Sequence, residues 1–246
     1  MAQEFVEADL SGARFVRSDL SGAVLRGVIV DGVEIDAPWL LDGESSLVVN
    51  GVDVAPLVDA ELDRRFPGRA LRRAQDPDGL REAWAALEGA WDAAIARAAA
   101  MPAGTVDEPV DGEWSFAQTL RHLVFAIDAW LGRAVLRIEQ PFHPLGQTIP
   151  ESVEDGVDLS LFVTETPEYA DVLAAFADRV AMVRRFLAGA TPALLDEERS
   201  NPWAPDYPET VRACVGTILE EGWEHQRLRP ARPRRPRRPL TAVPEM

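Results

Sequence analysis

The chain has no lysine and only one cysteine, Cys214, in 246 residues. A single cysteine excludes an intrachain disulfide and any zinc site built from several thiolates. Without lysine no Schiff-base chemistry is available, and arginine supplies all 25 basic side chains. Histidine is scarce too: His122, His143 and His225 are the full set. No uncharged apolar run approaches the roughly 20 residues needed to span a bilayer. The N-terminus, MAQEFVEADL, lacks the basic-then-apolar order of a signal peptide. The expectation is a cytoplasmic protein with no membrane partner.

Charge is abundant but lopsided. The net charge is −16, yet the stretch after His225 carries seven arginines against one glutamate. The remainder is therefore still more acidic than the total, and such a surface repels nucleic acid and anionic membranes. Small-molecule and protein partners suit it better.

Residues 1–40 repeat with a period of five. Phe5, Leu10, Phe15, Leu20, Leu25, Val30 and Ile35 hold the central position, and two residues earlier stand mostly small side chains, such as Ala8, Ala13 and Ala23. Neither a helix nor a flat strand has this period. One large inward residue per five fits a chain that turns a corner at each repeat, a short β-solenoid. Residues 41–74 read as a connecting segment, with an Asn50-Gly51 hairpin turn between β-branched runs and a short helix closed by Pro67 and Gly68.

Four helical patterns follow over residues 75–228. The first carries Leu80, Trp84, Leu87, Trp91 and Ile95. The second opens on a capping box, Ser115 with Gln118, and continues to Val135. The third has Thr166 as its expected cap and Pro167 at the first position, and runs to Gly189. The fourth starts near Pro208 and carries Val211, Cys214, Val215 and Ile218. The predicted fold is mainly α: an up-and-down four-helix bundle preceded by the repeat segment. Residues 229–246 place proline at every third position from Pro230 and read as an extended, disordered Arg/Pro tail.

The chemistry concentrates in EEGWEHQ at the end of the fourth helix. At about 100° per residue, Glu221 and His225 fall inside the apolar stripe, whereas Glu220 and Glu224 point elsewhere as surface charges. A buried carboxylate needs a partner or a metal. A carboxylate and an imidazole at i and i+4 can share one ion; a Glu–His hydrogen bond that merely orders the core is the alternative. His122 lies off the main stripe of the second helix, on a second face with Phe125, Ala126 and Ala129 that could border a cavity. His143 and Asp128 are further candidates to line the same site. Cys214, on the ligand face, reads more readily as a core residue than as a nucleophile.

EWSFAQTLRHLVFAIDAWL, followed about a hundred residues later by ILEEGWEHQR, resembles the DinB superfamily, and within it the branch of the mycothiol-dependent maleylpyruvate isomerase. The repeat segment resembles the pentapeptide-repeat family. The first resemblance implies a four-helix bundle with one divalent metal, usually zinc, with nickel or iron as alternatives, held by His122, Glu221 and His225. It also implies a low-molecular-weight thiol and an electrophile as partners, a thiol S-transferase activity, and a homodimer as one assembly state. A non-catalytic interaction protein of the same fold is the competing expectation. The chain departs from the isomerase in lacking its separate C-terminal domain. It also departs at Pro230, which ends the last helix about one turn after His225.

Overall fold

The computed structural model describes residues 4–41, 45–109, 113–149, 152 and 156–227. The Arg/Pro tail expected at 229–246 lies outside the described residues. The chain divides into two compact units, 1–37 and 38–246.

In the first unit the backbone adopts positive φ at Glu7, Gly12, Arg17, Gly22, Gly27 and Gly32, one left-handed residue every five. Backbone bonds from Ala13 to Leu10, Ala23 to Leu20 and Val33 to Val30 close tight turns around the glycines at every second corner. The five-residue period of the sequence is thus a period of chain reversal. One expectation fails here. The seven central apolar residues do not become a buried row; all are exposed, from 46% at Leu10 to 68% at Leu25. Seven repeats leave too little chain to stack over them.

The second unit is mainly helical. It opens with a two-residue hairpin, β1 (Val48–Val49) and β2 (Val52–Asp53), in which Val49 faces Val52. Asn50 and Gly51 both take positive φ, as a tight primed turn requires. Helix α1 (Ala55–Arg65) leads through Gly68 into a 3₁₀ turn, Arg69–Arg73. Helix α2 (Pro77–Ala99) starts on Asp76, whose carboxylate accepts from the Asp78 and Gly79 amides. Its apolar stripe, Leu80, Trp84, Leu87 and Trp91, is buried as the spacing predicts.

Helix α3 (Phe116–Ile127) begins with the predicted capping box intact. From Asp128 to Val135 the helix widens into a π-helical segment rather than continuing as α. Two features hold it open. Gly132 lies so close to Pro141 that a Cβ there would sit 2.8 Å from the proline Cβ. The amide of Leu136 reaches back five residues, to Leu131 O at 2.8 Å. Helix α4 (Tyr169–Gly189) starts later than the sequence suggests. Thr166 is not its cap and Pro167 is not its first residue; Glu168 holds the cap position in an extended conformation with no side-chain cap bond. Glu168, at ψ 136, is itself extended, so the helix cannot begin at Pro167 and Thr166 lies two residues before the cap. A single turn, α5 (Pro192–Leu195), and a two-residue ladder, β3 (Glu198–Arg199) with β4 (Glu209–Thr210), lead into α6 (Val211–Arg227).

Helices α2 and α3 each pack against both α4 and α6. Their shared core runs from Leu80, Trp84 and Trp91 through Leu120, Val124 and Leu131 to Val172, Val183, Val215 and Leu219. The connecting segment braces the end of α6. Gly68, at φ 93, brings the backbone against Ala86 and the buried Trp223. The Arg69 guanidinium, 3% exposed, binds Asp59 at 2.7 Å and Asp63 at 2.6 Å and reaches Glu224 at 3.9 Å. Glu224 is thus not a plain surface charge, as the helical wheel had suggested. It answers a buried arginine from another part of the chain.

Gly68→Ala places a Cβ 2.7 Å from that of Ala86 at a strained φ. It is expected to lower stability by about 1–3 kcal/mol in urea unfolding. Gly51→Ala, also at positive φ but with nothing within 4 Å, carries only the backbone cost of about 1–2 kcal/mol and should lose less than Gly68→Ala. Equal losses would mean that the Gly68 contact does not brace α6.

Candidate metal centre

The capping box sets the start of α3. The Ser115 hydroxyl accepts from the Gln118 amide at 3.2 Å, and the Gln118 side chain accepts from the Ser115 amide at 2.9 Å. That fixed first turn puts His122 opposite the last turns of α6. The loop after α3 then folds back along it. Gln147 donates its amide to Arg121 O at 3.0 Å, and Arg121 Nε donates to Leu145 O at 2.8 Å. The result is a backbone carbonyl, Gln147 O, placed 3.3 Å from His122 Nδ1. A carbonyl only accepts, so with the ring proton on Nδ1 this contact is a hydrogen bond and Nε2 is the nitrogen turned towards Glu221.

That Nε2 lies 3.4 Å from Glu221 Oε2, and His225 Nε2 lies 3.5 Å from the same oxygen. The donor atoms of His122, Glu221 and His225 all lie within 4.8 Å of one another. The two imidazoles are 10% and 14% exposed. Burial pushes the Glu221 pKa up, but contact with His122 and His225 outweighs it and holds the group down to about 2. Glu221 is therefore ionised at neutral pH. Two imidazole nitrogens converging on one carboxylate oxygen call for positive charge between them, a proton or a metal ion. Two imidazoles and one carboxylate, three protein donors, are a set that suits a divalent metal with an open position.

One side of the cluster is closed by an aromatic ring. Trp114 lies 4.7 Å from the His122 ring and stacks on His225 at 6.0 Å, centre to centre. The side beyond α3 is aromatic as well: Phe125 stacks on Phe142 at 5.3 Å and on Trp203 at 5.8 Å. His225 Nδ1 is buried and has no hydrogen-bond partner among the described residues.

The other three candidates stand elsewhere. Asp128, 1% exposed, forms an ion pair with Arg179 and accepts the His143 amide at 2.7 Å. The His143 ring accepts from the Leu145 amide at 3.1 Å, a bond that shapes its loop. Neither residue belongs to the three-residue cluster. Cys214 is fully buried in the core, and burial pushes its thiol up to about 11. It is a packing residue, not a nucleophile. Trp114, the Gln147 carbonyl and Arg179 were not singled out in the sequence. Only tertiary packing brings them to their places, and no periodicity announces them.

Against known families, residues 86–228 match the DinB superfamily and residues 4–35 match pentapeptide repeats in eight copies. The chain belongs to the DinB superfamily. Members of the DinB superfamily are generally metal-binding, and the His122–Glu221–His225 cluster falls within the matched DinB region. No curated protein and no solved structure matches the chain. Among the described residues no helix is long and apolar enough to cross a membrane.

The buried Asp128 makes stability depend on pH. Burial raises its pKa from 3.8 to about 6, against the opposing pull of Arg179 and the His143 amide. The folded state then holds the proton more tightly than the unfolded state. Stability present below pH 4 is lost as pH rises towards 6, on the order of 3 kcal/mol. Relative to Asp128→Asn, which cannot ionise, the wild type should lose melting temperature between pH 4 and 6.5. A wild type that gains on the variant across that interval would show that Arg179 outweighs burial.

Proposed function

We propose that the helical region is a DinB-type four-helix bundle holding one divalent metal, most readily zinc, on His122, Glu221 and His225. Its activity on this reading is S-transfer: a low-molecular-weight thiol of the mycothiol kind is activated and passed to an electrophile. The observation that carries it is the convergence of two imidazole nitrogens on one ionised carboxylate, with Gln147 O against the other nitrogen of His122. A divalent ion bound there would hold a thiol as its thiolate at neutral pH.

The protein's own residues have separable roles in this scheme. Gln147 orients His122 through its carbonyl, the kind of outer contact that raises ligand basicity. Glu221 supplies negative charge and so favours a cation over a neutral water cluster. Trp114 covers the imidazoles on one side and limits access of bulk water from that direction. Cys214 takes no part.

A second reading, a non-catalytic metal-binding or interaction protein of the same fold, draws on one observation. Trp114 lies over both imidazoles and narrows the approach to the cluster.

The test is metal content of untagged protein purified without chelator. About one zinc or nickel per chain is expected. His225→Ala and Glu221→Ala should each weaken affinity beyond the roughly 10–100-fold cost of losing an outer-shell partner. Wild-type protein that stays metal-free when zinc is supplied would sink both readings as metal proteins. Stoichiometric metal without consumption of mycothiol or bacillithiol in the presence of monochlorobimane would favour the second.

A further inference from the structure

Residues 143–147 run back along α3, from Asp128 at one end to Arg121 at the other. His143 donates its amide to Asp128 Oδ2 at 2.7 Å. Two short bonds then close the chain into a turn: the Leu145 amide donates to His143 Nδ1 at 3.1 Å, and the Gly146 amide to His143 O at 2.9 Å. One residue further on, Gln147 donates its amide to Arg121 O at 3.0 Å and presents its own carbonyl 3.3 Å from His122 Nδ1. Asp128 and Arg121 stand seven residues apart, a helical rise of about 10 Å. Four residues reach at most ~14 Å when fully extended, and the turn shortens that reach. The stretch is therefore tethered at both ends with little slack, so a shift of His143 is passed on to Gln147.

We propose that Asp128 is a positioning residue for the metal centre: it fixes the loop that carries the Gln147 carbonyl to His122. The proposal rests on the metal-binding reading of His122, Glu221 and His225. Three observations point to it. Asp128 is buried and paired with Arg179 of α4, so its own place is set by two helices. Apolar packing of similar volume is often as stable as a buried ion pair, so stability alone does not account for this one. Next, its Oδ2 takes a main-chain amide of the loop, so it holds the backbone path itself, whatever ring stands at 143. Finally, the loop is confined from the other side as well. A Cβ on Gly146 would lie 3.0 Å from the Phe162 ring, 3.2 Å from His143 O and 3.4 Å from Phe125 Cβ. Asp128 belongs to no donor set and touches none of the three ligands; it acts on His122 only through residues 143–147.

The test uses full-length protein and two readouts: the ring-nitrogen NMR shifts of His122 without metal, and zinc affinity by chelator competition. The wild-type ring, once neutral, is expected to carry its proton on Nδ1. Asp128→Ala should give a mixture of the two tautomers and weaken zinc about 10–100-fold, the range for loss of an outer-shell partner. Asp128→Asn keeps an oxygen for the His143 amide and should restore both readouts. Gly146→Ala pushes the same loop with the ion pair left in place, so it should reproduce the effects of Asp128→Ala. Val172→Ala, a core truncation on α4, gives the background from lost stability and should change neither readout. A wild-type ring protonated on Nε2 would overturn the proposal. So would an unchanged tautomer in Asp128→Ala, or losses in Asp128→Asn equal to those in Asp128→Ala. Unchanged readouts in Gly146→Ala would overturn it however well Asp128→Ala folds. If even the wild type takes up no zinc, the metal reading falls, and the ring shifts still decide whether Asp128 positions His122.

Discussion

Glu221 Oε2, on a half-buried side chain 37% exposed, lies within 3.5 Å of two buried imidazole nitrogens. A carboxylate in such surroundings is costly unless matched by positive charge, and the match must come from the imidazoles or from something they share with it. Much of the surrounding structure can be read as what keeps that trio in register. The capping box fixes where α3 begins and therefore which way His122 faces. The strap from Arg121 to Leu145 brings the Gln147 carbonyl against His122 Nδ1. The i, i+4 spacing on α6 supplies the remaining pair without long-range help.

The end of α6 is the weak point of such a design, because a ligand in the last turn of a helix shares in its fraying. The connecting segment answers this. Gly68 packs its backbone on Trp223, and Arg69 ties Asp59 and Asp63 to Glu224, one residue from His225. Asp59 shows the strength of that network. Burial pushes its pKa up, yet Arg69, Arg73 and Arg72 together bring it down to about 2. The last turns of α6 are thus held from the side.

Local rules made part of this visible in the sequence. The capping box needs four residues, the helical stripes need one turn of periodicity, and the inward direction of Glu221 and His225 follows from their angle to Val211, Cys214 and Ile218. What escaped was set by contacts distant in sequence. The π-helical stretch after Ile127 depends on Pro141 packing over Gly132. The pairing of Glu224 with Arg69 spans most of the chain. The repeat segment differed in another way: a corner in every five residues was expected and a left-handed residue does recur at that spacing, but the central apolar residues are exposed rather than turned inward.

The absent side chain of Gly222 links the position of Glu221 to the packing around it. It sits beside Glu221, and its lack of a Cβ lets α6 close on Leu87 of α2. A larger residue would have to push α6 outward or drive Leu87 into a cavity of about 50 Å³ that both border. Outward movement would carry Glu221 away from His122, since the His122–Glu221 distance is set by how α6 lies against α3. Displacement of Leu87 would leave the trio intact and fill the space beside it. The same close approach therefore governs both the position of the carboxylate and the volume next to it. The two are coupled by geometry even though one is a matter of charge and the other of apolar packing.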